Sequence, residues 1–288
     1  MASQLVLVKR ALMLVALLGS MMTESLAADK SVPGLTPPSF QPTLRTMNGD
    51  ELFAKLLEHN RIRDLRLKQY SAVRTYQVTN DKGKLYAQEI VRVEYQAPDR
   101  KKFSIDSEGG SRLVREMVFK RLLESESETS SGRAHHDSAI KPANYEFKLL
   151  GEDDVGPYHC LVVEAAPRRN DKYLFDGFIW IDAADYAIVR IAGQPAKPLS
   201  FWITRADFVR EYQKIGEFWL PAKDETLVHM RFYGKKILTI DHRDYTIDRP
   251  VEAEPESLRE GEPTNRQSYG SLKAREESEI TNAGKVGD

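Results

Sequence analysis

Residues 177–195 read GFIWIDAADYAIVRIAGQP. The pattern is strand, tight turn, strand. It does not alternate oily and polar as a half-wet hairpin does. Phe178 and Trp180 fall on one face, and Ile179 and Ile181 on the other. A strand that is apolar on both faces needs a cover on each.

Reading outward, the hairpin is flanked by more strands. YSAVRTYQVTNDKGKLYAQEIVRVEYQAPDRKKFSID, from Tyr70, predicts two long strands around a polar TNDKGK turn. Pro98 ends the second, and KKFSI starts a third. NYEFKLLGED and YHCLVVEAAP precede the hairpin, and a meander of about four strands follows it, with turns at EYQKIG and YGKK. The covers are helical. TMNGDELFAKLLEHNRIRDL can be capped by Asn48 or Thr46, and Asp50 and Glu51 suit its positive end. Its Leu52, Phe53, Leu56 and Leu57 recur at helical spacing. A helical and loop insertion at about 108–141 places Leu113, Met117, Val118 and Leu122 on one side. The predicted class is α+β: a strongly curved antiparallel sheet of nine or ten strands, covered on its concave side by the N-terminal amphipathic helix and the inserted helix. Its hollow is filled by those helices, or in part by a ligand.

The ends differ from the body. Lys9 and Arg10 precede the apolar run ALMLVALLGSMM, and Ser25 and Ala27 suit a cleavage before Ala28. Residues 1–27 thus read as a secretory signal peptide, too short in its apolar part for a span of about 20 residues. The sole cysteine is Cys160, so nothing at the cut can be lipidated and no internal disulfide can form. A free, exported protein is expected. Residues 28–46 are a proline-rich lead-in, 47–249 a single domain, and 250–288 an acidic tail with nine acids and five bases, expected to be disordered. A formal net charge of −1 offers no basic field for nucleic acid.

Few residues suggest chemistry. Arg74 shares a face with Ala72 and Tyr76, so if that face is concave its charge must have a partner, such as one on the covering helix. Otherwise the parity is inverted, or Arg74 lies at a strand end and reaches water. His135, His136 and Asp137 lie in a serine-rich loop and match no metal spacing. Asp182 and Asp185 flank a turn, where aspartates commonly bond nearby amides. His159, His229 and His242 read as strand residues, and Cys160 as a small buried hydrophobe. Trp180, Trp202 and Trp219 are sheet packing or the rim of a cavity mouth. There is no nucleophile elbow, phosphate-cradling glycine loop or metal-ligand pair, so no catalytic residue, cofactor or metal is expected.

In order along the chain, several segments resemble the exported lipoprotein-carrier superfamily, the LolA/LolB-like fold that includes the N-terminal domain of RseB-type sensors. They are the aromatic–small–aromatic strand YSAVRTYQV, the proline-broken VRVEYQAPDRKKFSI, VVEAAPRR, and the acidic-turn hairpin FIWIDAADYAIVRI. The resemblance spans roughly Asp50 to Asp248. Ala97 stands where the carrier has an arginine before the proline, and Arg100 follows instead. The resemblance implies an unclosed β-barrel with a hydrophobic cavity lined by Tyr70, Ala72, Arg74, Tyr76, Val91, Val93, Tyr95, Phe103, Ile179 and Ile181. It implies a non-enzymatic, monomeric periplasmic carrier of an acyl chain or lipoprotein, with membrane-bound donor and acceptor proteins. The alternative is an RseB-like sensor that binds lipid and signals to a protein partner.

Overall fold

The opening stretch forms the hairpin β6 (Phe175–Asp182) and β7 (Ile188–Pro195). Asp182 makes its turn: the side chain accepts from the N–H groups of Ala184 (3.2 Å) and Asp185 (2.7 Å), the local aspartate bonding that suits such turns. The structure is a computed structural model that describes residues 48–128, 139–171, 174–198, 201, 203–232 and 234–248. The proposed signal peptide, lead-in and acidic tail, with His135, His136, Asp137 and Trp202, lie outside the described residues.

Ten strands form one antiparallel sheet. Besides β6 and β7 they are β1 (Gln69–Asn80), β2 (Leu85–Gln96), β3 (Arg100–Gly110), β4 (Tyr145–Val155), β5 (Tyr158–Pro167), β8 (Ile203–Ile215), β9 (Phe218–Met230) and β10 (Gly234–Asp248). The spatial order is β3-β2-β1-β10-β9-β8-β7-β6-β5-β4. Every chain connection is a hairpin except that from β3 to β4, which are the two edges, and every pairing joins consecutive strands except β1 with β10. The sheet is an unclosed barrel whose open seam lies between two strands that are consecutive in the chain. Three strands, rather than about four, follow the hairpin.

The first cover is α1 (Gly49–Arg66). Asn48 caps it: Asn48 Oδ1 accepts from the Glu51 N–H at 2.8 Å, and Glu51 Oε2 accepts from the Asn48 N–H at 3.3 Å, a reciprocal capping box. Leu52, Phe53 and Leu56 are buried, whereas Leu57 is 43% exposed and departs from the predicted apolar stripe. Phe53 stacks on Phe147 of β4 at 3.5 Å between ring centroids. A Cβ on Gly49 would stand 2.3 Å from the Phe147 carbonyl oxygen, so the helix start meets the edge strand at a distance only glycine allows. Phe147 stacks in turn with Tyr145, and Tyr145 with Phe175 of β6. That chain of rings marks the concave face, and the parity of Phe175 carries Ile179 and Ile181 onto it, both buried.

The second cover packs on β2 and β3. It begins at Ser111 rather than 108, because β3 runs to Gly110. It consists of α2 (Arg112–Val114), a π-helical turn (Arg115–Phe119) and α3 (Lys120–Glu128). Val114, Val118, Leu122 and Glu126 are its buried positions at every fourth residue. Four exceeds the 3.6-residue period, and the wider π turn takes up part of the drift. Leu113, expected inward, falls one residue off this series and is 53% exposed. Arg115 ties the first turns to the sheet, donating to the Gly110 carbonyl (2.8 Å) and to Glu108 (3.0 Å).

The convex face is covered without helices. Trp180, 2% exposed, donates from Nε1 to Asp153 Oδ2 at 2.9 Å. The Arg190 guanidinium lies 5.6 Å from its ring and is held by Glu211 at 2.7 Å. Long charged side chains thus lie over an aromatic surface with their heads in water. No helix among the described residues is long and apolar enough to cross a membrane.

Because Phe53 is fully buried in the ring stack, Phe53→Ala should lower stability by about 3–5 kcal/mol. The check is urea unfolding, with a lower midpoint and an unchanged slope. A loss under about 1 kcal/mol would mean that α1 is not part of the cooperative core.

Candidate functional site

Alternation along β1 sends Tyr70, Ala72, Arg74, Tyr76 and Val78 inward, and all are buried. An ionised guanidinium at 2% exposure would be untenable alone. Its partner is Glu126 of α3: Arg74 Nη1 donates to Oε2 at 2.6 Å, and Nη2 to Oε1 at 3.1 Å. Lys101 of β3 donates to the same carboxylate at 2.5 Å. Burial alone would push the Glu126 carboxyl up, but Arg74 and Lys101 together hold it well below the usual carboxylate range. Tyr76 Oη lies 3.3 Å from Arg74 Nη1, and burial raises its phenol to about 12.

The charges continue across the sheet. Arg74 faces His242 of β10 in the strand register. His242 Nε2 lies 3.0 Å from Asp224 Oδ2 on β9, and Asp224 Oδ1 accepts from Arg210 Nε on β8. Burial lowers the His242 pKa more than Asp224 raises it, so the imidazole is neutral at pH 7. The result is a belt of polar groups inside the sheet, pinned to the inserted helix by one carboxylate.

Beside the belt lies a cavity of about 630 Å³, within the range of small-molecule sites. It opens where β1 begins and β2 ends, under the C-terminal half of α1. Leu56, Leu57, Leu67, Ile140, Ile188 and Leu220 supply apolar wall. Tyr70, Tyr95, Tyr212 and Trp219 add rings with polar tips, and Lys101 and Tyr212 join the cavity to the belt. The Tyr70 and Tyr95 rings stack at 5.0 Å. The mouth is braced by the hairpin turns: Trp219 Nε1 donates to Asp185 Oδ2 at 2.9 Å, Lys214 pairs with Asp185 at 2.6 Å, and Arg63 donates to the Asp185 carbonyl at 3.0 Å.

Of the ten positions expected to line a cavity, Tyr70 and Tyr95 do so. Ala72 is packed in the small cluster with Tyr70 and Leu220. Arg74 and Tyr76 belong to the belt. Val91, Val93, Ile179 and Ile181 lie in the main core with no exposed surface, and Phe103 packs against it, 5.8 Å from the Arg74 guanidinium. They are correctly inward but lie outside the cavity wall, because α1 and the inserted helix fill the hollow above them. Leu57, Leu67, Ile140 and Tyr212 were missed. The exposure of Leu57 follows from its place beyond the Leu52–Phe53–Leu56 contact line, and the others come together only in the fold. Asp182 and Asp185 serve the turn and the mouth. Cys160 is buried, which raises its thiol to about 12. Among the described residues no cluster of His, Cys, Asp and Glu could hold a metal.

The belt predicts acid sensitivity. Glu126, with its folded pKa depressed, contributes stability that is whole above about pH 4.3 and is lost as pH falls through the lower folded value. His242, buried neutral, contributes stability that declines as pH falls below about 6.5. The urea midpoint should therefore fall steadily from pH 7 to pH 4. Glu126→Gln should cost about 3–5 kcal/mol at pH 7, by leaving two buried cations without their carboxylate, and should flatten the fall below about pH 4.3. A variant as stable as the parent would show that the ion pair does not hold α3.

No family model matches the chain, and no curated protein matches it. Solved structures do. A DUF1329 family protein from Desulfovibrio piger is 13% identical over 69% of this chain and 94% of that one, with a TM-score of 0.38. A putative outer membrane lipoprotein-sorting protein domain from Vibrio parahaemolyticus is 13% identical over 68% and 94%, at 0.34. A LolA superfamily protein from Nitrosomonas europaea is 8% identical over 70% and 94%, at 0.32.

Proposed function

We propose that this protein is a non-enzymatic carrier that shelters an acyl chain, free or attached to a lipoprotein, in the cavity under α1. The observation that carries this reading is the cavity itself: an apolar pocket of ligand size between the sheet mouth and a single helix. Each CH₂ moved from water into such a wall gains about 0.8 kcal/mol. Uptake and release need only a shift of the C-terminal half of α1, where Leu57 and Leu65 are exposed and contribute little to holding it down. The Tyr70, Tyr95 and Tyr212 hydroxyls can meet a polar headgroup while the chain lies against Leu56, Ile188 and Leu220. With the signal peptide read at residues 1–27, the site of action is the periplasm, and the donor and acceptor are envelope proteins.

The test is displacement of a fluorescent dodecanoic acid. The wild type should bind it saturably. Leu57→Trp places a larger ring at a half-exposed wall position and should weaken binding by about tenfold, with a thermal midpoint within a few degrees of the parent. Absence of binding by the wild type, or equal binding by the variant, would count against the cavity as the site.

A further inference from the structure

The cavity is apolar in bulk but not neutral. Arg61, Arg63, Lys68 and Lys101 contribute to its wall, against Asp64 and Asp99. The adjoining belt has the same bias. Arg74, Lys101 and Arg210 are three buried cations, while Glu126 and Asp224 are two carboxylates and His242 is neutral. Two cations from different strands share the single Glu126 carboxylate, through its Oε1. Arg74 Nε is a buried donor with no hydrogen-bond partner among the described residues. A carboxylate shared by two buried cations, beside a buried donor that it leaves unmet, is a point where a second anion can compete.

We propose that the ligand is an anionic amphiphile, a single acyl or alkyl chain ending in a carboxylate or phosphate, whose charged end is paired by Lys101 and Arg74. This rests on the acyl-chain reading of the cavity and specifies the headgroup. Lys101 is both cavity wall and ion-pair partner, so it is the point where a chain in the pocket meets the belt. Its side chain and that of Arg74 are each only 2% exposed. The anion therefore reaches them by exchanging with Glu126. The exchange replaces one carboxylate by another at nearly constant electrostatic cost, and it releases Glu126 and with it the grip on α3. Ligand binding and loosening of α3 are then one event.

Titration calorimetry of the purified protein with palmitate, hexadecyl phosphate and hexadecanol tests this, with acetate and inorganic phosphate as chain-free controls. Palmitate and hexadecyl phosphate should each bind at least about tenfold more tightly than hexadecanol, the scale of one charge-assisted hydrogen bond. Lys101→Met should bring that ratio toward one. In the wild type, amide exchange in α3 should rise with palmitate and not with hexadecanol. Equal affinity for palmitate and hexadecanol would overturn the anionic headgroup and leave the acyl-chain reading standing. Failure of all three chains to bind would overturn both. Acetate or phosphate binding as tightly as the amphiphiles would also overturn the proposal, by making the site one for small anions. Unchanged α3 exchange with bound palmitate would overturn the exchange with Glu126.

Discussion

A guanidinium on the concave face of a curved sheet sets the terms for the rest of this structure. Arg74 is placed inward by the strict two-residue period of β1, between Ala72 and Tyr76, and it cannot stay charged there unaided. The helix that follows β3 supplies the answering carboxylate, so one ion pair links β1 to the inserted helix. Buried pairs of this kind give little net stability relative to an apolar packing, but losing one partner is costly. Their effect is to specify one placement of the helix and to penalise every other.

The open seam has a physical consequence. A fully paired barrel of ten strands would satisfy every backbone edge, but its interior would be reached only from its ends. Here the edges β3 and β4 stay apart, and Arg112–Glu128, which follows β3, forms a second cover. The hollow is thus filled by two separate helices rather than by the sheet's own side chains alone. Under the inserted helix the filling is complete, with Val91, Val93, Ile179 and Ile181 fully buried. Under the far half of α1 it is not, because beyond Leu56 that helix turns Leu57 and then arginines toward the mouth.

Much of this was legible in the residues. The double-sided hairpin, a cap at Asn48 or Thr46, nine or ten strands and the shared face of Ala72, Arg74 and Tyr76 all follow from periodicity and local bonding, which are set within a few residues. The need of Arg74 for a partner on a covering helix was legible as well, since it follows from the energetics of buried charge. The identity of that partner was not. Glu126 sits in the polar run LLESESE, 52 residues away, where nothing local distinguishes it from Glu124. The inserted helix was readable as a helix, but its phase was not: Leu113 turns out to water and Val114 turns in.

The sequence alone determined that the hairpin would be apolar on both faces, that helices would cover the hollow, and that a charge would need an answer if its face of β1 turned inward. Those are properties of neighbouring residues and of the cost of removing groups from water. Where the hollow remains empty was decided only by the tertiary structure. A cavity is the difference between the space a curved sheet encloses and the volume its covers bring. That difference depends on how α1, the Ala97–Pro98 turn and the β8–β9 hairpin meet at one mouth, and no single stretch of the chain contains it.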